Sequence, residues 1–349
     1  MTWRHASHCR LLLAKKDNEL WPAGSYHTPM RPLALILVLL LPLPAAAEEP
    51  KLLASLSPRE RRFWIIYSLA FTRDGKTLAA GSPDRVSLWE LASWKLRKSF
   101  SYGASSLSFS RDGRSLAIGY AHDGVYKALV LEVSTGSVCC VLRGGGPVEV
   151  VLSPDGRLLA TGGDAGLQLW DAVSGKKRSE IFASNEPNVH GLSLSPDGRF
   201  LAVGRVGFGI TVWDVADRRR LVNLAATPWQ HSLSFSDDGN TLASQEGLRT
   251  VKTWDLRTCA EQFRIDSEKD RDISALALSP DGRMLAIATR RLSRNSFVEL
   301  VEVPTRKRLA RLRPPHGAAS VAFSPDGKLL AVGDTDNTVW VWKLPQLGR

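Results

Sequence analysis

Three histidines, a set of turn serines and one close pair of aspartates are the residues whose types could support chemistry. His190, His231 and His316 could each serve as a general base, Ser153, Ser195, Ser279 and Ser324 as nucleophiles, and Asp334 with Asp336 as ligands for a divalent cation. A catalytic centre has to break the regularity of its scaffold, and these residues follow it. Each histidine stands just before an expected first strand, and each serine returns at the same place in a recurring turn, so both sets read as structural. The aspartate pair lacks the further oxygen ligands that calcium requires. No phosphate-binding loop, dinucleotide fingerprint or His-Glu-x-x-His stretch is present.

The cysteines point the same way. Cys9 lies in the leader, leaving Cys139, Cys140 and Cys259. Neighbours on a strand face opposite sides, so Cys139 and Cys140 are not expected to pair with each other. The spacing supplies neither a disulfide framework nor a zinc site.

What positions these residues is a repeat. The turn reads FTRDG ending at Gly75, FSRDG at Gly113, LSPDG at Gly156, LSPDG at Gly198, FSDDG at Gly239, LSPDG at Gly282 and FSPDG at Gly327, in steps of 38, 43, 42, 41, 43 and 45 residues. Such a period is filled by one small sheet. A Leu-Ala pair follows every turn, from Leu78-Ala79 to Leu330-Ala331. A third segment ends in SLWE, LQLWD, ITVWD, VKTWD or VWVWK, and a more polar fourth follows, as in RKRLARL. Pro-Asp-Gly supplies hairpin chemistry: proline presets φ, aspartate bonds the local backbone and glycine accepts positive φ. Each unit is therefore expected to form a four-stranded antiparallel sheet.

With Trp89, Trp170, Trp213, Trp254 and Trp342 at the ends of third strands, the chain from about residue 50 to 344 resembles the WD-repeat (WD40) β-propeller family. The resemblance implies an all-β, seven-bladed propeller. It also implies loops gathered on two faces around a central channel, where partners dock. Repeats two and six depart from it by placing Leu131-Glu132 and Val301-Glu302 at the Trp-Asp position, after extra residues. Asp336 and Asp164, each six residues before a repeat tryptophan, are the candidates for the aspartate of the family's buried network, with His316 nearest to the place of its histidine. The last repeat lacks a fourth strand. KLLASL at Lys51–Leu56 resembles one and is expected to complete blade seven, because an open ring would leave backbone groups unpaired.

Residues 30–47 read as a secretory signal peptide: one positive residue, an apolar core from Leu33 to Leu41, Pro42 and Pro44, then Ala45-Ala46-Ala47 before Glu48. The apolar run is shorter than the roughly 20 residues of a membrane span. Residues 1–29 read as an over-extended start, with translation beginning at Met30, or as a leader; the propeller occupies 48–349. The expected location is the periplasm or the cell exterior.

Net charge is +11 for the whole chain and +8 for the 302 residues after Ala47. The cations gather ahead of fourth strands, as Lys95, Arg97 and Lys98, Lys176 to Arg178, Arg218 to Arg220, and Arg306 to Arg308. There they protect exposed edges from pairing with other chains. No aromatic-basic strip for stacking single strands is visible, so nucleic acid ranks last among partners.

The reading is a non-catalytic platform for protein or peptide partners, with no cofactor or metal. The rivals are an exported propeller enzyme of the lactonase or quinone-dependent dehydrogenase type, and a cytoplasmic scaffold. Candidate partner-binding residues are those off the repeat pattern: Trp64, His122, Asp123, Arg205, Phe208, Trp229, Arg290, Arg291 and Arg294. Tryptophan and arginine are favoured at interface hot spots.

Overall fold

The computed structural model describes residues 49–58, 64–122, 125–143, 149–164, 166–181, 189–225, 232–290 and 296–345. They form seven four-stranded antiparallel sheets, with no helix among the described residues. Six blades take their strands in chain order. Blade one, for example, runs Ser68–Phe71, Thr77–Gly81, Val86–Glu90 and Lys95–Phe100.

Blade seven is assembled from both ends of the described chain. Its first three strands are Ala318–Phe323, Leu329–Asp334 and Val339–Lys343, and Lys51–Leu56 supplies the outer one. Lys51 lies opposite Lys343 and Leu52 opposite Trp342, with a register shift before Ala54. The expected latch is thus present.

The seven turns owe their shape to one repeated network. The hydroxyl of Thr72, Ser110, Ser153, Ser195, Ser236, Ser279 or Ser324 donates to the aspartate two residues on, at 2.5–2.7 Å. That hydroxyl also accepts the backbone N–H five residues on, at 2.8–3.0 Å. The aspartate accepts the N–H after the glycine, at 3.0 Å. The glycine itself sits at φ between 67° and 77°, where a side chain would be strained. Serine, aspartate and glycine recur because each performs a separate task in one turn.

Sheets buried on both faces need apolar residues on both sides of a strand, and the second strands meet that need. The repeat leucines Leu78, Leu116, Leu159, Leu201, Leu242, Leu285 and Leu330 are at most 1% exposed. Burying each one stabilises the fold by about 1.5–3 kcal/mol. Seven apolar clusters result, each drawing on two neighbouring blades. Leu56, Ile66, Leu78 and Trp89 meet Ala331, Val339 and Val341 in the one that seals blade seven to blade one.

Close packing also dictates a glycine. A Cβ on Gly162, in the second strand of blade three, would stand 2.4 Å from the Val189 side chain of blade four.

The register settles the irregular repeats. Leu78 pairs with Trp89, and Leu116 with Leu131 and Leu285 with Val301 stand at the same place, so aliphatic residues replace the tryptophan in blades two and six. In blade two the extra residues lengthen a hairpin: Ser115–His122 and Val125–Glu132 are eight residues each and pair to their ends. His122 closes that ladder opposite Val125 and so stands within a strand, whereas Asp123 lies outside the described residues.

Candidate functional site

The first strands surround a cavity of about 470 Å³ that draws lining residues from all seven blades, which makes it the central channel. Phe71, Phe109, Phe235 and Phe323 supply much of its apolar wall. Its turn-side mouth is ringed by the residue before each turn aspartate. Four blades place proline there, Pro154, Pro196, Pro280 and Pro325, and three place a charge, Arg73, Arg111 and Asp237.

Arg73 and Asp237 come from blades one and five, and their charged groups meet at 2.5 Å across the mouth. The ring is also tied laterally, for the backbone N–H of Arg111 donates to the Pro154 carbonyl and that of Asp237 to Pro280. A second cavity of about 380 Å³ opens beside the mouth, carrying the carboxylates Asp237, Asp281 and Asp326 among prolines and Met284. A channel with aromatic residues in its wall, opposed charges at its rim and an acidic recess alongside has the features of a recognition surface.

The opposite face carries those sequence candidates that fall among the described residues. Arg205 ends the second strand of blade four and pairs with Gly209; between them the chain turns through Gly207, at φ 81°. This turn lays the Arg205 guanidinium 4.5 Å from the centre of the Phe208 ring. Arg205 is buried, while Phe208 is 52% exposed. The arginine thus supports the aromatic ring that is presented to solvent.

The remaining candidates are dispersed. Arg290 ends the second strand of blade six, exposed and opposite Asp272. Trp64 is half-buried on the approach to blade one, just before Ile66, whose N–H donates to the Asp334 carbonyl of blade seven. Arg205 and Phe208 are brought together; Trp64 and Arg290 belong to other sectors. Trp229, Arg291 and Arg294 lie outside the described residues.

The buried aspartate network is placed differently from expectation. Asp334, fully buried, accepts the Trp340 indole N–H at 2.8 Å and the backbone N–H groups of Asp336 and Thr338 at 2.9 Å. Burial pushes its carboxyl up, against the pull of those donors. Asp336 instead stands half-exposed, 3.5 Å from the His316 ring. Asp164 is exposed and bears on His190, whose pKa is lowered by burial and raised back by that aspartate. Six residues separate Asp334 from Trp340 as they separate Asp336 from Trp342, so spacing pointed equally to both.

The chemistry open to these groups is limited by their existing bonds. The turn serines are engaged with an aspartate and a backbone N–H, an arrangement that holds a turn. His231 lies outside the described residues. Among the described residues no group of three or more His, Cys, Asp or Glu could hold a metal ion. No helix among them is long and apolar enough to cross a membrane.

Three stretches match the family described as WD domain, G-beta repeat: residues 51–90, 130–171 and 307–343. Two of the matches start on an outer strand and the one from residue 130 starts within the third strand of blade two; all three end with the third strand of the following blade, so the sequence repeat is offset from the sheet. The chain is also similar to Protein groucho of Drosophila melanogaster, at 27% identity over 209 residues, covering 59% of this chain and 28% of groucho. The chain therefore spans little more than a quarter of that relative's length. The WD-repeat matches and the seven-sheet ring agree on the architecture.

Sequence reasoning missed Arg73, Arg111 and Asp237. The signal was present, since Arg or Asp replaces proline in three of the seven turns.

Proposed function

We propose that this protein is a non-catalytic platform that binds protein or peptide partners on the loop-bearing faces of its propeller, and that it is exported through the signal peptide at 30–47. The observation that carries the platform reading is the channel mouth. There an otherwise regular ring of turns is broken by Arg73, Arg111 and Asp237 over a cavity of about 470 Å³. A charge-bearing, concave and symmetry-breaking surface supplies orientation and specificity, and the turn network beneath it supplies rigidity. Resemblance to WD repeats supports the same class of function, although fold alone does not fix it. Export rests on the ordered n-region, apolar core and Ala-x-Ala pattern before Glu48.

Crosslinking in intact cells tests the platform. Wild type is compared with Arg73→Glu, Arg290→Glu/Arg291→Glu, Phe208→Ala and Trp229→Ala. A partner captured by wild type and lost from at least one variant is expected; equal capture by all of them removes these surfaces from the proposal. Sequencing the mature amino terminus tests export separately: a start at Glu48 is expected, and retention of residues 30–47 refutes it.

A further inference from the structure

The rim of the channel carries two guanidiniums for one carboxylate. Arg73 and Arg111 stand on the neighbouring blades one and two, and Asp237 reaches Arg73 from blade five. Arg73 meets Asp237 through a single nitrogen, Nη1 to Oδ2, so the rest of its planar fork remains for a second acceptor. Arg111 is exposed, and its side chain has no ion pair or hydrogen bond among the described residues. The nearby acids do not balance it. Asp74 and Asp112, in the same two turns, are bound to the hydroxyls of Thr72 and Ser110 and to backbone N–H groups, and both lie outside the cavity lining. The other four rim positions are proline, which has no N–H to offer.

We propose that this mouth is a carboxylate-binding site for an acidic peptide, with Arg111 and the remaining N–H groups of Arg73 as donors and Asp237 as the internal carboxylate with which the ligand competes. The proposal names the ligand of the platform reading and rests on that reading. Charge identifies the ligand: one further carboxylate balances the rim, and a guanidinium fork accepts a planar carboxylate in two parallel bonds. Exchange is easy because the Arg73 and Asp237 side chains are 41% and 33% exposed, which leaves their pair screened by water. Phe71 and Phe109, two residues before the arginines, line the cavity beneath them, so an apolar residue beside the acid has a wall to lie on. Asp281 and Asp326, in the recess on blades six and seven, repel an anion from that side and leave blades one and two as its seat.

Fluorescence polarisation with the full chain tests this. The probe is a fluorescein-labelled, amidated peptide of alternating glutamate and leucine, its control the same peptide with glutamine for glutamate, both in roughly 0.15 M salt. The glutamate peptide is expected to bind about tenfold tighter or more, and Arg73→Gln or Arg111→Gln to weaken it about tenfold each. Asp237→Asn, which releases Arg73, is expected to tighten binding about threefold. Lys76→Gln and Arg114→Gln remove exposed cations of the same turns that lie outside the cavity lining, and should leave affinity within about twofold. Circular dichroism melts report folding of every variant. Equal binding of the two peptides, losses from Lys76→Gln and Arg114→Gln as large as those at the rim, or weaker binding by Asp237→Asn overturns the proposal. Cellular partner capture lost from Arg73→Glu, alongside equal binding of the two peptides, would overturn the carboxylate site and leave the platform reading standing.

Discussion

Arg73 and Asp237, 164 positions apart in the chain, face each other at 2.5 Å across the mouth of the central channel. Each side chain keeps a third or more of its exposure, 41% and 33%, so solvent screens the pair. Arg73→Ala or Asp237→Ala is therefore expected to cost no more than ~1 kcal/mol of stability. Unfolding in urea, with the double variant completing the cycle, measures this, and high salt should shrink the coupling further. A large loss would mean that the mouth holds the ring together instead of serving as a surface for partners.

Ring closure is the larger contribution. Leu56 is 3% exposed within the cluster joining blades seven and one, and Leu56→Ala is expected to cost about 2–5 kcal/mol. Removing Lys51–Leu56 altogether strips the third strand of blade seven of its outer partner and should lower the melting temperature further. A truncated chain that melts like the parent would show that the latch is dispensable.

Acid should weaken the turns. Donation from the hydroxyls of Thr72, Ser110 and Ser153, followed by the backbone N–H of Lys76, Arg114 and Arg157, holds Asp74, Asp112 and Asp155 below the ordinary 3.8. A native value below the unfolded one means stability that is present above about pH 4 and lost as pH falls through the native values. Ser153→Ala should remove some of this pH dependence, because its Asp155 then titrates closer to 3.8. Urea unfolding at a series of acidic pH values reads the change in slope.

Glu149 should act with the opposite sign. It stands opposite Gly162 on the first strand of blade three, where Ser68 and Ser106 stand opposite Gly81 and Gly119. Burial pushes its carboxyl from 4.5 up to about 7, against a hydrogen bond with Ser106. Below 4.5 both states are protonated and nothing is lost. As pH rises from 4.5 toward 7 the unfolded chain ionises first and stability falls. Glu149→Gln should therefore melt higher than wild type above pH 7 and match it below 4.5. Parallel melting curves at every pH would refute this.

The approach of blade four to blade three predicts one further result. Gly162→Ala drives a methyl group to 2.4 Å from Val189 and should cost about 1–3 kcal/mol. Val189→Ala in the same chain should recover some of that loss, which denaturant unfolding would show as non-additivity.

Much of the fold was legible because its signals are local and repeated. Pro-Asp-Gly and its variants mark each hairpin, Leu-Ala each buried second strand, and KLLASL the missing edge. What stayed hidden depends on which equivalent residue faces inward. Asp334 and Asp336 stand at the same spacing from a tryptophan, and only the path of the hairpin decides that Asp334 is the buried one. Arg205 looked like a surface group until its turn folded Phe208 over it. Arg73 and Asp237 could be found only by comparing all seven turns at one position, since nothing nearby in the chain relates them.

The latch has a mechanical consequence. Lys51 and Lys343 face each other at one end of the same strand pair, so a load applied through the two chain ends bears first on that pair. The contacts would separate in succession, like a zipper, and the ring would open at far lower force than if the strands had to slide past each other. Tethering the molecule by both ends would therefore compromise its integrity, whereas holding it by one end would leave the fastener unloaded.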